Sequence, residues 1–141
     1  MLPMKRLDLK MLGLVLGLAL IPAARMLPAA PQAPRVVEVI ADKDNRFKVP
    51  GQKKAVITLK AKEVIILRVT AHKGTDAEKD GAIHSFSVKE FKNVGWDLRL
   101  KEGVNEFTLA VPNAPGEHTV ECLVKCGTGH EEMKMKIIIT P

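Results

Sequence analysis

Aromatic residues and cysteines are scarce in this chain of 141 residues. Aromatics make up 4% of the sequence, with one tryptophan and no tyrosine, although hydrophobic residues as a whole reach 46%. This composition is typical of a globular protein, and it excludes a collagen-like, coiled-coil or largely disordered chain. Two cysteines are too few for a small domain that is held together by disulfides. The length favours a single domain.

The chain has only one long uncharged apolar stretch, and it lies near the N-terminus. Three basic residues among the first ten precede the uncharged stretch 11–24, which ends in Pro-Ala-Ala. This order is typical of a secretory signal, and the stretch is shorter than the roughly 20 apolar residues of a membrane span. We therefore predict that residues 1–24 are a signal peptide, or alternatively an N-terminal membrane anchor. Residues 25–35 are rich in proline and alanine and are interpreted as a linker. The predicted location is the periplasm or another exported compartment.

Much of the excess positive charge belongs to this leader. The whole chain has 22 lysines and arginines against 16 aspartates and glutamates, a net charge of +6. From residue 34 onward, 18 basic and 15 acidic residues leave a net charge of +3. So small an excess indicates a solvated surface rather than a nucleic-acid footprint. We predict no nucleic-acid partner.

Residues 36–141 contain several short runs of β-branched residues with turn signals between them. The segment 82–88 alternates, which places His84 and Ser85 on opposite faces of a strand. The stretch 64–67 is too apolar for simple alternation and predicts a strand that is buried on both faces or lies at a strand crossing. No segment after the leader has helical periodicity. The pattern predicts an all-β sandwich or barrel, large enough to bury one core. Its predicted strands are 36–40, 55–59, 63–70, 82–88, 104–111, 118–122 and 133–140.

Four potential metal ligands lie within twelve residues, between two predicted strands. Cys122, Cys126, His130 and Met133 have the spacing Cys-x3-Cys-x3-His-x2-Met. Thiolate, imidazole and thioether ligands together select copper over magnesium or calcium, and the thioether argues against zinc. Two glycines give the backbone of this loop the conformational freedom to fold around a ligand as small as a metal ion. A further ligand must come from elsewhere, and His84 is the candidate because an imidazole on an apolar strand face needs a partner.

The loop spacing resembles the dinuclear copper A loop of cytochrome c oxidase subunit II and of nitrous-oxide reductase. The match also includes the strand around His84 and the Pro-Gly turn before Cys122, so it covers roughly residues 82–141. The resemblance implies a cupredoxin-like Greek-key β-sandwich over residues 36–141 that carries two copper ions. It also implies an electron-transfer module rather than an enzyme. The implied partner is a redox protein such as a c-type cytochrome or a terminal oxidase or reductase.

The same resemblance implies a role for each ligand. Two thiolates would bridge both coppers, and each copper would also bind one imidazole. A thioether and a main-chain carbonyl would be the weak axial ligands of the two ions. The implied bridging thiolates are those of Cys122 and Cys126, and the implied imidazoles are those of His84 and His130. The implied weak ligands are the Met133 thioether and the main-chain carbonyl of Val124.

The residues alone leave other interpretations open. Two nearby cysteines in an exported protein are often a disulfide. A cupredoxin-like copper carrier or insertion factor is an alternative function. So is a mononuclear type 1 copper site made by His84, Cys126, His130 and Met133. The oxidase members of the family usually have glutamate at the position of Val124 and are usually anchored by two helices. Both differences favour a free-standing periplasmic copper protein.

Overall fold

The computed structural model of the chain describes residues 28–141, so the predicted signal or anchor segment 1–24 lies outside the described residues. The described part contains nine strands and two short 3-10 helices. The strands are β1 (Arg35–Ala41), β2 (Phe47–Lys48), β3 (Val56–Lys60), β4 (Val64–Ala71), β5 (His84–Ser87), β6 (Asp97–Leu100), β7 (Gly103–Ala110), β8 (Gly116–Glu121) and β9 (Lys134–Thr140). The 3-10 helices are Lys89–Val94 and His130–Glu132. Neither of these helices has the length and apolar character that a membrane crossing needs.

The strands form two sheets. One has four strands in the order β2-β1-β4-β7, and the other has five in the order β3-β9-β8-β5-β6. The pairs β1–β4 and β3–β9 are parallel, whereas the remaining pairs are antiparallel. One buried cluster takes its side chains from both sheets, as expected for a sandwich that packs two inner faces together. The predicted all-β class is therefore confirmed.

Strand β4 shows why alternation is a better guide than local hydrophobicity. Ile65 and Leu67 are fully buried, but Val64 is 46% exposed. The prediction that this stretch is buried on both faces is wrong, because its sheet is covered on one side only. On the outer side, Ile66 is paired with Val36 and Thr108 of the neighbouring strands. β-branched residues suit such a half-buried surface.

The topology brings two parts of the chain together at the predicted metal ligands. β8 and β9 are antiparallel neighbours, so the loop that joins them, residues 122–133, returns on itself. β5 lies next to β8, with Ser87 opposite Glu121. All four residues of β5 are buried. The strand that contains His84 therefore runs beside the loop that contains the other ligands.

Candidate metal centre

The loop between β8 and β9, which we call the ligand loop (residues 122–133), folds tightly enough to turn its donor side chains inward. Gly127 and Gly129 have φ angles of +116° and +87°, a region in which residues with a side chain are strained. Cys122 and Cys126 are 4% and 0% exposed. His130 is only partly buried. The loop therefore presents a buried sulfur pair with one imidazole nearer the surface.

The five predicted ligands of this loop lie close to one another. Both cysteines are free thiols, with their Sγ atoms 3.8 Å apart. The Nδ1 atom of His130 is 3.4 Å from the Cys126 Sγ, and the Met133 Sδ is 4.0 Å from it. The main-chain oxygen of Val124 is 3.2 Å from the Cys122 Sγ. The structure thus gathers two thiols, an imidazole, a thioether and a carbonyl around one point.

His84 joins this group from β5. One of its ring nitrogens and the sulfurs of Cys122 and Cys126 all lie within 4.8 Å of one another. The His84 Nε2 atom is 2.8 Å from the carbonyl oxygen of His72. A carbonyl only accepts, so Nε2 carries the hydrogen, and Nδ1 keeps its lone pair. That Nδ1 atom is buried and has no hydrogen-bond partner, so its lone pair is available to bind a metal.

The electrostatics of the site also suit a cation. Burial lowers the pKa of His84, so its imidazole is neutral near pH 7 and able to bind a metal. Burial and the neighbouring Cys122 raise the pKa of Cys126 to about 12, so this thiol keeps its proton without a metal. A bound cation replaces that proton and stabilises the thiolate. Together with the soft donors, this environment fits copper.

A buried hydrogen-bond chain supports the first cysteine, and the sequence patterns did not reveal it. Ser85 donates its main-chain N–H to the Cys122 Sγ at 3.4 Å, and its Oγ accepts the N–H of Leu123 at 2.7 Å. The Ser87 Oγ is 3.0 Å from the Ser85 Oγ and donates to the Asp97 carboxylate at 2.6 Å. This bond lowers the pKa of Asp97, with a further contribution from a nearby lysine. The signal in the sequence is a pair of serines in an otherwise apolar strand.

Comparison with known proteins places the fold. No protein-family model matches the chain, and no curated protein matches it. Among solved structures, it is similar to a chain of a heme-copper terminal oxidase dimer, with 19% identity and a TM-score of 0.56. That match covers 76% of this chain and 65% of the oxidase chain, so this chain spans just under two thirds of it.

Two further solved structures complete the comparison. The periplasmic domain of subunit II of cytochrome oxidase from Bradyrhizobium japonicum matches with 17% identity and a TM-score of 0.53, covering 78% of this chain and 86% of that one. Auracyanin A, a "blue" copper protein from Chloroflexus aurantiacus, matches with 16% identity and a TM-score of 0.51, covering 77% and 100%. These likenesses define the class: the chain has a cupredoxin-like β-sandwich. Within that class it resembles the subunit II periplasmic domain in fold, as the loop motif predicted.

Proposed function

We propose that this protein binds copper and transfers electrons through a dinuclear centre of the copper A type. The observation that carries this proposal is a pair of free, buried thiols flanked by two separate imidazoles. His84 forms a close group with Cys122 and Cys126. His130 is not a member of that group, yet its Nδ1 approaches the Cys126 sulfur at 3.4 Å. One imidazole for each of two metals, with both sulfurs shared, accounts for this arrangement.

The fit between the residues and two copper ions gives each side chain a role. Cys122 and Cys126 would hold both ions through their sulfurs, while His84 and His130 would hold one each through Nδ1. The weak ligands are the Met133 thioether and the Val124 carbonyl oxygen. Copper supplies the change of oxidation state when it is bound. These six ligands leave no open coordination position, which argues for electron transfer rather than catalysis on a substrate.

The burial of the ligands suits this role. His84, Cys126 and Met133 are fully buried, and rigid strands lie on either side of them. A site held in one geometry needs little rearrangement between two oxidation states. His130 is the ligand that reaches the surface, and it lines one surface pocket together with Leu123, which is 39% exposed. This edge is where we propose that a redox partner, such as a c-type cytochrome or a terminal oxidase or reductase, makes contact.

The proposed compartment follows from the leader and from the neighbours. We propose that residues 1–24 direct export and that residues 36–141 act in the periplasm, either released or anchored at the outer face of the inner membrane. The subunit II neighbour is itself a periplasmic domain. Another neighbour, with 16% identity and a TM-score of 0.50, is a mixed disulfide between subunit II and a thioredoxin-like protein. We propose that a comparable thiol protein keeps Cys122 and Cys126 reduced before copper is bound.

The experiment that tests the dinuclear proposal is metal analysis with EPR spectroscopy on the copper-loaded full chain. We expect two coppers per chain and a hyperfine pattern from two equivalent nuclei, because the unpaired electron is shared. The mononuclear type 1 alternative predicts one copper, and the "blue" copper protein auracyanin A has a similar fold. It also predicts a coloured site in Cys122→Ser, whereas a shared sulfur predicts loss of the site in both Cys122→Ser and Cys126→Ser. One copper per chain, together with a Cys122 thiol that still reacts with an alkylating reagent, would contradict the proposal.

The copper-carrier alternative is supported by one feature and has its own test. A surface pocket of about 220 Å³ lies next to Cys122, His130 and Met133, so a donor or acceptor that enters it meets the partly exposed His130 first. An electron-transfer protein must keep its metal in both oxidation states. We expect the centre to cycle between oxidised and reduced forms in the presence of a copper(I) chelator. Rapid transfer of copper to the chelator on reduction would favour the carrier function.

A further inference from the structure

The turn between β1 and β2 reaches across to the ligand loop through Asn45. Its side-chain Nδ2 donates to the carbonyl oxygen of Thr128 at 2.6 Å, and the residue is 3% exposed. The opposite orientation of the amide would bring two oxygen acceptors together, so the donor must face Thr128. This bond joins parts of the chain that are 83 residues apart in the sequence.

The backbone around Asn45 is built for this contact. Its φ angle is +55°, a left-handed conformation that asparagine adopts more readily than most residues. Its N–H donates to the carbonyl of Asp42 at 3.0 Å, and the Asp42 N–H donates to the carbonyl of Arg46 at 2.9 Å. The turn therefore closes on itself and fixes the direction of the Asn45 side chain.

A third segment fills the space between the turn and the ligand loop. A Cβ atom on Gly74 would lie 2.7 Å from the Asn45 Oδ1 and 2.9 Å from the Cys126 carbonyl oxygen. A Cβ atom on Gly127 would lie 2.0 Å from the Thr75 Oγ1. The two glycine backbones therefore pack against the Asn45 and Thr75 side chains and the Cys126 carbonyl, without room for a Cβ atom. The ligand loop can move only if these contacts open.

The same turn holds the loop on the far side of His130 as well. Arg46 donates from its Nη1 to the carbonyl oxygen of Glu132 at 3.3 Å. Thr128 and Glu132 lie two residues before and two residues after His130. We infer that Asn45, with help from Arg46, is a positioning residue that holds His130 against the sulfur pair. The inference rests on the proposed copper function, because it concerns the placement of a proposed ligand.

Such a restraint matters most for His130. The proposed ligands other than His130 are at most 4% exposed and are held by the packing of the core, whereas the His130 side chain lies at the surface end of the site. Its N–H makes one loop hydrogen bond, to the Gly127 carbonyl at 3.2 Å. Outer partners of metal ligands typically change metal affinity by about 10- to 100-fold when they are removed. We expect an effect of that size from Asn45.

The test compares Asn45→Gly and Asn45→Asp with the wild-type full chain. Glycine keeps the left-handed backbone without the amide, and aspartate keeps the shape but presents only acceptors to the Thr128 carbonyl. The matched control is Asn105→Asp, because the Asn105 amide donates instead to the carbonyl oxygens of Lys101 and Gly103 at 2.9 and 3.1 Å. Two readouts are measured: amide hydrogen exchange of the metal-free protein, and the dissociation constant for copper with the EPR spectrum.

We expect both Asn45 variants to exchange the His130 amide faster without metal, to bind copper about 10- to 100-fold more weakly and to alter the EPR spectrum. Asn105→Asp should leave all three measurements at the wild-type values. Wild-type exchange and affinity in the Asn45 variants would overturn the inference, and so would failure of both to fold. If the wild-type protein binds no copper, the proposed function fails, while hydrogen exchange still decides whether Asn45 restrains the loop.

Discussion

Ser85→Ala is the substitution that isolates one support of the ligand loop. The side chain is 1% exposed, and its Oγ accepts the N–H of Leu123, which directly follows Cys122. Alanine fits the same space and keeps the main-chain N–H that points to the Cys122 sulfur. The change therefore removes the acceptor of the Leu123 N–H and the contact with the Ser87 Oγ, and it leaves the proposed metal ligands in place.

The size of the effect follows from leaving the Leu123 N–H without a partner. An unsatisfied buried donor costs about 1–3 kcal/mol, and we expect the lower part of that range because Leu123 itself is 39% exposed. For a domain of this size, each kcal/mol lowers the melting temperature by about 4–8 °C. Thermal unfolding of the metal-free chain measures the loss, and hydrogen exchange at the Leu123 amide shows where it arises.

Ser87→Ala is the matched control for this prediction. It removes the hydroxyl that bonds Asp97 and contacts the Ser85 Oγ, but it keeps the contact between the Ser85 Oγ and the Leu123 N–H. Both serines are buried and lie on the same face of β5. We expect faster exchange at Leu123 in Ser85→Ala only. Equal protection of the Leu123 amide in the two variants would refute the reasoning, whatever their melting temperatures.

The remaining predictions concern the weak ligands and acid stability. Met133→Leu should lower the free energy of unfolding by less than about 1.5 kcal/mol, because the two side chains have similar volumes, yet it should shift the reduction potential through loss of the thioether. Val124→Glu should leave the optical spectrum nearly unchanged, because only the carbonyl oxygen of residue 124 is proposed to bind. Loss of copper from Val124→Glu, together with an unchanged spectrum and reduction potential in Met133→Leu, would contradict the assignment of the weak ligands. The pKa of Asp97 is lowered by its bond from Ser87, so ionised Asp97 stabilises the fold above about pH 4 and that contribution is lost as the pH falls through its folded pKa. Denaturant unfolding should therefore show Asp97→Asn less stable than wild type at pH 6, with a difference that shrinks as the pH falls through the folded pKa of Asp97; a difference that does not change with pH would contradict this.

The sequence predicts those parts of the fold in which hydrophobic residues recur at a regular spacing within one segment. The seven predicted strands are all present, because alternating or β-branched runs report burial directly. β2 has two residues and is too short to show a period. β6 does alternate, but its four residues are too few to distinguish a strand from the turn and the 3-10 helix Lys89–Val94 before it. The error in β4 has a different cause, since hydrophobic residues on a half-covered face look like core residues in a sequence.

The proposed ligands were predictable for a related reason. Four of the five ligand side chains and the Val124 carbonyl fall within one loop, so their spacing is visible without a structure. His84 lies outside that loop and was predicted from its chemistry, because an imidazole in an apolar strand needs a partner. The structure adds what the sequence could not contain: the His72 carbonyl that fixes the tautomer of His84.

The residues that hold the ligands are a harder class to predict, and the physics explains why. A ligand must have a particular donor atom, so its residue type is informative at once. A support such as Asn45 or Ser85 needs only a donor or acceptor aimed at a main-chain group, and many residue types in a turn or strand can supply one. Its meaning depends on which distant segment it meets, here 83 residues away for Asn45. In this β-sandwich of long-range pairings, most of the proposed ligands can therefore be recognised in one short stretch of sequence, whereas the residues that restrain them can be recognised only from the fold.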